Sequence, residues 1–335
     1  MKTFVVKGMS CGLSLMLLSL PVLSNASVNV RQDILVKYEG ITHDALYDVC
    51  LNKGQGFAVG ATGLVLQTVD GGVNWQPSEH VFDTSLFGVA CGSDSALIVG
   101  QQGAIFKHKE NKWEKIITES SERLISVDMN DAGLAIAVGG FGTVLRSNDG
   151  GKTWEPLAID WFELLDDAIE PHLYDVSVGD NNQITLVGEF ELILQSNDGG
   201  VTWVTAHKGE ASLFDLHLQA SGKGYAVGQQ GRVLVTEDSG ATWAVLNVNT
   251  DANLLGVISL DSGRVVISGI RALLSSSDSG ANWSEIKNSD AAIGWYQGMD
   301  ASYRNNVSNS NENKAETKQS IFAVGFSGRL VELAQ

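Results

Sequence analysis

Short apolar runs, each of strand length, alternate with polar turns from about residue 33 to the C-terminal end, and their order repeats. The unit begins with Leu, an aromatic or aliphatic residue, one variable position and Val or Leu. A second apolar run follows and closes in Val-Gly or a variant of it. A Gly-x-x-Gly element, a third apolar run and an acidic turn leading to Trp complete the unit. Copies occupy residues 46–75, 86–113, 124–154, 173–203, 213–243 and 254–283, and an incomplete seventh starts near Trp295 and resumes over 321–333. The glycines that close the second run, from Gly60 to Gly325, recur about every 44 residues. Each copy holds four short β-rich runs, the content of one propeller blade. The pattern predicts an all-β, seven-bladed β-propeller of four-stranded antiparallel blades, forming one domain over 27–335. The last copy lacks an outer strand, and the β-like run 33–39 ahead of the first copy can supply it, which would leave the ring without a long exposed edge.

The Gly-x-x-Gly element predicts a tight hairpin between second and third strands, where positive φ favours Gly. Copies four and six place Glu191 and Ala272 at its second Gly, so less regular hairpins are expected there. The acidic turn has the form Ser/Thr-x-Asp-x-Gly-x-Thr/Asn-Trp, known as the Asp-box, and contains Asp70, Asp149, Asp198, Asp238 and Asp278. Its Asp and Ser side chains can accept backbone N–H bonds while Trp buries an apolar face beneath the turn. Five copies spread around a ring cannot converge on one substrate, so these aspartates read as structural. Copy two keeps Trp113 but replaces the turn with Lys107-His108-Lys109-Glu110-Asn111-Lys112, a basic cluster expected in solvent.

Two insertions interrupt the period. In 156–172, Trp161, Leu164, Leu165 and Ala168 have the spacing of one helical face, compatible with a short amphipathic helix or with a loop pinned by Trp161. The strongly polar 301–320 is expected to be a mobile loop.

The 335 residues include 22 basic and 39 acidic side chains, a formal charge of −17, whose field would repel a phosphate backbone and makes nucleic acid a poor partner. Residues 1–26 carry Lys2 and Lys7, an apolar stretch and a small-residue exit, the pattern of a signal peptide cleaved after about Ala26. The apolar run follows Cys11 instead of preceding it, which argues against lipid attachment. No later run of about 20 apolar residues exists, so no membrane insertion is expected, and the mature chain should be periplasmic or secreted. Of the cysteines beyond the leader, Cys50 lies four residues after Leu46 and Cys91 five after Leu86, an offset that sends side chains to opposite strand faces. The sequence therefore predicts two buried thiols instead of a bridge.

The Val-Gly-x-x-Gly runs combined with Ser-Asn-Asp-Gly-Gly-x-Thr-Trp turns, clearest in 137–154 and 224–243, resemble the photosystem II stability and assembly factor family of cyanobacteria and plastids, and more widely the bacterial propellers with BNR-type repeats. The resemblance implies a lumenal or periplasmic assembly factor whose ring binds a membrane-protein intermediate, and an arginine patch on one face. Arg146 stands where the family motif places Arg, and Arg232 and Arg329 each follow a hairpin Gly. The plain secretory leader suits a Gram-negative periplasm.

Asp-boxes also occur in glycosidic hydrolases, so a glycan-binding or sialidase-like propeller is the alternative. Such a site needs three converging arginines, or two close carboxylates, and no motif assembles them. Asp48, Asp175 and Asp215 occupy one repeat position in the innermost strands and could line an axial channel that binds a cation or sugar hydroxyls; a narrow, wet channel is the simpler account. The six histidines lack metal-ligand spacing, and the Gly-x-x-Gly turns join strands instead of opening helices, so neither metal nor cofactor is expected. The function the sequence supports is a non-catalytic scaffold for a membrane protein complex on the exported side.

Overall fold

Seven four-stranded sheets form, one per sequence copy, in a computed structural model that describes Met1 and residues 34–166, 168–287, 289–305 and 317–333. The leader and its cleavage point lie outside the described residues. In blade 1 the strands Leu46–Asn52, Gln55–Gly60, Val65–Thr68 and Gln76–Pro77 pair in sequence order, from the axis outward. Blades 2 to 6 repeat this order. Blade 7 is assembled from Tyr296–Asn305, Thr317–Gly325 and Leu330–Leu333, with Ile34–Tyr38 antiparallel to the last of these as the outer strand. The strand Ile34–Tyr38 therefore closes the ring, as its unpaired β-like pattern predicts.

The second strands of blades 2 to 6 are buried along their whole length, for example Ala96–Gly100, Ala135–Gly139 and Ile184–Gly188. Both faces of each blade are covered by neighbours, so apolar residues run continuously there. Seven hydrophobic clusters result, one at each blade-to-blade interface. The tryptophans that end copies one to six, from Trp75 to Trp283, each join the cluster shared with the preceding blade.

Cys50 and Cys91 form a disulfide, with Cα atoms 5.6 Å apart, contrary to the two thiols expected from their spacing. The one-residue offset does place them on opposite strand faces. In a radial stack, however, the facing sides of neighbouring sheets are opposite faces. Cys50 thus looks toward blade 2 and Cys91 looks back toward blade 1, both in the cluster that those blades share.

The insertions also differ in part from expectation. Of the two alternatives for 156–172, the helix forms, over Trp161–Leu165: the Asp160 carboxylate accepts the Glu163 N–H at 3.0 Å to cap it, and Trp161 is buried against Gly142 of the blade 3 hairpin. The region 301–320 is not simply a loop, because the blade 7 ladder runs on to the Asn305 and Thr317 pair. Backbone pairing needs no apolar side chains, and Ser320 donates to the Glu332 carboxylate while Ser302 donates to the Gly71 carbonyl. Residues 306–316 lie outside the described residues. Lys107, expected in solvent, is buried and donates to the Gly150 carbonyl of blade 3. Copy two lacks a box turn, and Glu110 and Asn111 close its third and fourth strands as a tight hairpin with φ of 52° and 61°.

Candidate functional site: the axis and the two ring faces

The axis is lined by the seven innermost strands, and five of them project an aspartate. Asp48, Asp175 and Asp215 share the position two residues after the leading Leu, as the sequence indicates, and Asp128 and Asp300 lie two residues deeper. Each carboxylate accepts a backbone N–H from the next innermost strand. Asp48 takes Val89 at 2.8 Å, Asp175 takes Leu216 at 3.0 Å and Asp215 takes Val257 at 2.6 Å. In the lower tier Asp128 takes Val178 at 2.7 Å, and Asp300 takes Leu51 at 2.6 Å across the closure of the ring. The sequence pattern missed the lower tier because it falls at a different repeat position. Its signal is an Asp at an alternate residue of the same strand, which a period-2 element points the same way.

These carboxylates keep some area open to the axis, yet protein surrounds them, and loss of bulk water is the largest influence on each. It pushes Asp48 up to about 8 and Asp128 and Asp300 up to about 7, against the backbone N–H bonds that favour the ionised form. Asp175 and Asp215 interact with one another, and burial raises both, Asp215 the further. Ser126 donates to Asp175 at 2.6 Å. The axial groups act as connectors between blades. Among the described residues no group of three or more His, Cys, Asp or Glu could hold a metal ion.

One end of the ring carries the Asp-boxes. In each, Ser or Thr donates to the aspartate at 2.8 Å, as at Ser147 with Asp149 and Ser196 with Asp198. The same hydroxyl accepts a Gly N–H, and the aspartate accepts both the N–H and the side chain of the Thr or Asn four residues on. Asp70, Asp238 and Asp278 repeat the arrangement. The Thr202 hydroxyl and N–H hold Asp198 down to about 2, and Asn282 does the same for Asp278. At Gly72 and Gly151, φ is 81° and 83°, and a Cβ would lie 2.5 Å from the Phe322 ring or 2.4 Å from Leu97 of the preceding blade. The box thus staples its own turn and lets it press on the neighbouring blade.

The other end carries the hairpins between second and third strands. Arg232 and Arg329 lie there, whereas Arg146 lies at the Asp-box end. Arg146 pairs with Glu155 at 2.7 Å and donates to the Gly199 carbonyl, and Arg329 pairs with Glu39 at 2.8 Å. Arg232 pairs with Glu191 at 2.8 Å. The three arginines come from blades 3, 5 and 7 and do not converge, and no carboxylate-binding triad forms from them. Glu191, at the position where other hairpins have Gly, is buried with φ 47° and also accepts the Glu210 N–H at 3.1 Å. Its place where five other hairpins have Gly was the sequence signal for this linked hairpin.

A family profile described as photosynthesis system II assembly factor YCF48 matches residues 105–208 and 206–302. The chain belongs to this YCF48 family. A relative from Synechococcus sp. (strain CC9902), the photosystem II assembly lipoprotein Ycf48, is 28% identical over 114 residues, which is 32% of this chain and 32% of that protein. The chain therefore aligns with about a third of the length of that curated relative. Among solved structures, YCF48 bound to D1 peptide superposes with a TM-score of 0.67 at 16% identity, covering 91% of this chain and 97% of the other. YCF48 from Cyanidioschyzon merolae gives 0.68 at 16% identity, covering 90% and 98%. The WD40 propeller domain of Doa1 gives 0.66 at 13% identity, covering 90% and 97%, so these superpositions establish the propeller and nothing narrower.

Proposed function

We propose that this YCF48-family chain is an exported, non-catalytic scaffold that binds a segment of a membrane protein and helps assemble or stabilise its complex, with a photosystem II subunit such as D1 as the reference partner. The observation that carries the reading is the family match from the third strand of blade 2 into the first strand of blade 7, on a chain whose seven blades close into a ring. A solved member of the family holds a D1 peptide, which supports a peptide segment as the thing recognised. The axial carboxylates and Asp-box aspartates are engaged in holding blades and turns, and the three arginines are engaged in ion pairs, which supports a binding role over hydrolysis of a glycan. The leader pattern of 1–26 supports export.

The test is direct binding of a fluorescein-labelled D1 peptide to the full chain by anisotropy, alongside crosslinking in the cells that make the protein. Saturable peptide binding, or capture of a membrane protein on the exported side, is expected. Binding to a glycan array with neither of these would overturn the reading in favour of the glycan-active alternative.

A further inference from the structure

In six blades the ladder between first and second strands slips by one residue just after the leading Leu. The residues left out of the ladder are Tyr47, Phe87, Ile125, Tyr174, Phe214 and Leu255. A bulge re-aims its unpaired side chain, and here all six are large, apolar and partly exposed, at the hairpin end of the axis. In blade 7 Gln297 takes the equivalent place, and Trp295 stacks nearly parallel on Tyr47 with ring centroids 6.1 Å apart. Tyr47 also meets Phe87 at 5.5 Å, and Tyr174 meets Phe214 at 5.3 Å. The result is a half-open apolar rim around the axis mouth.

Two further aromatic residues at this end stand on hairpin tips in left-handed backbone: Phe141, φ 52° and 62% exposed, and Phe190, φ 62° and 39% exposed. Polar residues Thr62, Gln102, Gln230, Arg271 and Ser327 fill the same conformation in the other five blades. An aromatic side chain that is both strained and open to solvent points to use at the surface. Arg123 lies exposed beside the rim with its guanidinium 5.5 Å from the Phe87 ring centroid, and it forms no ion pair among the described residues.

We infer that this rim is a docking surface for an extended, apolar peptide segment bearing a carboxylate, with apolar side chains laid on the aromatic rim and the carboxylate received by Arg123. Charge selects that composition. The chain as a whole carries −17, which disfavours a strongly acidic segment, while Arg123 offers an open cation on the rim at Phe87 and exposed Arg271 stands on the blade 6 hairpin tip at the same end. The inference rests on the peptide-binding reading above and names the surface that performs it.

The experiment uses the full chain and two labelled probes: the D1 peptide, and a designed Leu- and Phe-containing peptide with one Asp. Variants are the double Phe87→Ser/Phe214→Ser, the exposed Arg123→Glu, and Val201→Ser as a control at the Asp-box end; circular dichroism and melting check that each folds. The double variant and Arg123→Glu are each expected to weaken probe binding roughly tenfold or more, with the control unchanged. Replacing the probe's Asp by Asn should cost affinity for the parent chain but not for Arg123→Glu. If the D1 peptide binds and both rim variants stay within about twofold of the parent, the rim is wrong and the functional reading stands. If only the designed peptide binds, and does so through the rim, the D1 reading falls and the rim stands. Failure of both probes to bind the parent chain, or their displacement by neutral oligosaccharide or lipid vesicles, would overturn the rim itself.

Discussion

Asp48 and Asp198 are the same side chain in opposite surroundings. Removal from bulk water raises the first to about 8, whereas hydrogen bonds from Thr202 and Ser196 hold the second near 2. For a raised carboxyl, the folded chain binds the proton more tightly than the unfolded one. Its contribution to stability is complete below the ordinary value of 3.8 and is lost as pH rises through the folded value. For the Asp-box the sign reverses, and its contribution is present above 3.8 and lost as pH falls toward 2. The melting temperature should therefore peak in mildly acidic buffer, decline toward pH 8 and level off above it. Asp48→Asn should flatten that decline, which scanning calorimetry across the range would show; equal slopes in parent and variant would contradict the assignment. In the box itself, buried Ser147 joins the Asp149 carboxylate to the Gly151 N–H, so Ser147→Ala should cost about 1–2 kcal/mol in urea unfolding.

At the scale of elements, closure and crosslinking bear the predictions. Ile34–Tyr38 completes blade 7, and without it Leu330–Leu333 would be an open edge. Deleting residues 30–39 should substantially lower the melting temperature; an unchanged transition would count against the closure. The disulfide ties innermost strands across 41 residues of sequence, so Cys50→Ser/Cys91→Ser should lose about 2–4 kcal/mol, measured by denaturant titration, with the parent chain falling to the same value under reductant. Blade 2 also lacks the Asp-box turn found in blades 1, 3, 4, 5 and 6, and the bridge joins it to blade 1. Trp161 fills the space beside Gly142, so Trp161→Ala should release the short helix and cost about 3 kcal/mol or more by the same titration.

At the scale of the whole molecule, the ring divides its two ends between different tasks. The Asp-box end is held by self-contained turns, and the hairpin end presents apolar residues that the ladder itself sets aside. The sequence by itself determined the number of blades, the closing strand, the box turns and the upper tier of axial aspartates, because each is local and repeats with the chain. A strand knows its own alternation, and a turn its own φ requirements. What only the tertiary structure decided is which surfaces meet: the cysteine pair, the lower tier through Asp128 and Asp300, the Arg146 bond to the Gly199 carbonyl of blade 4, the ion pairs that occupy Arg232 and Arg329, and the bulged rim around the axis. The physical reason is that face-to-face stacking reverses the parity between neighbouring strands. A residue's partner then lies some 40 or more positions away, on a side that its own strand pattern cannot specify.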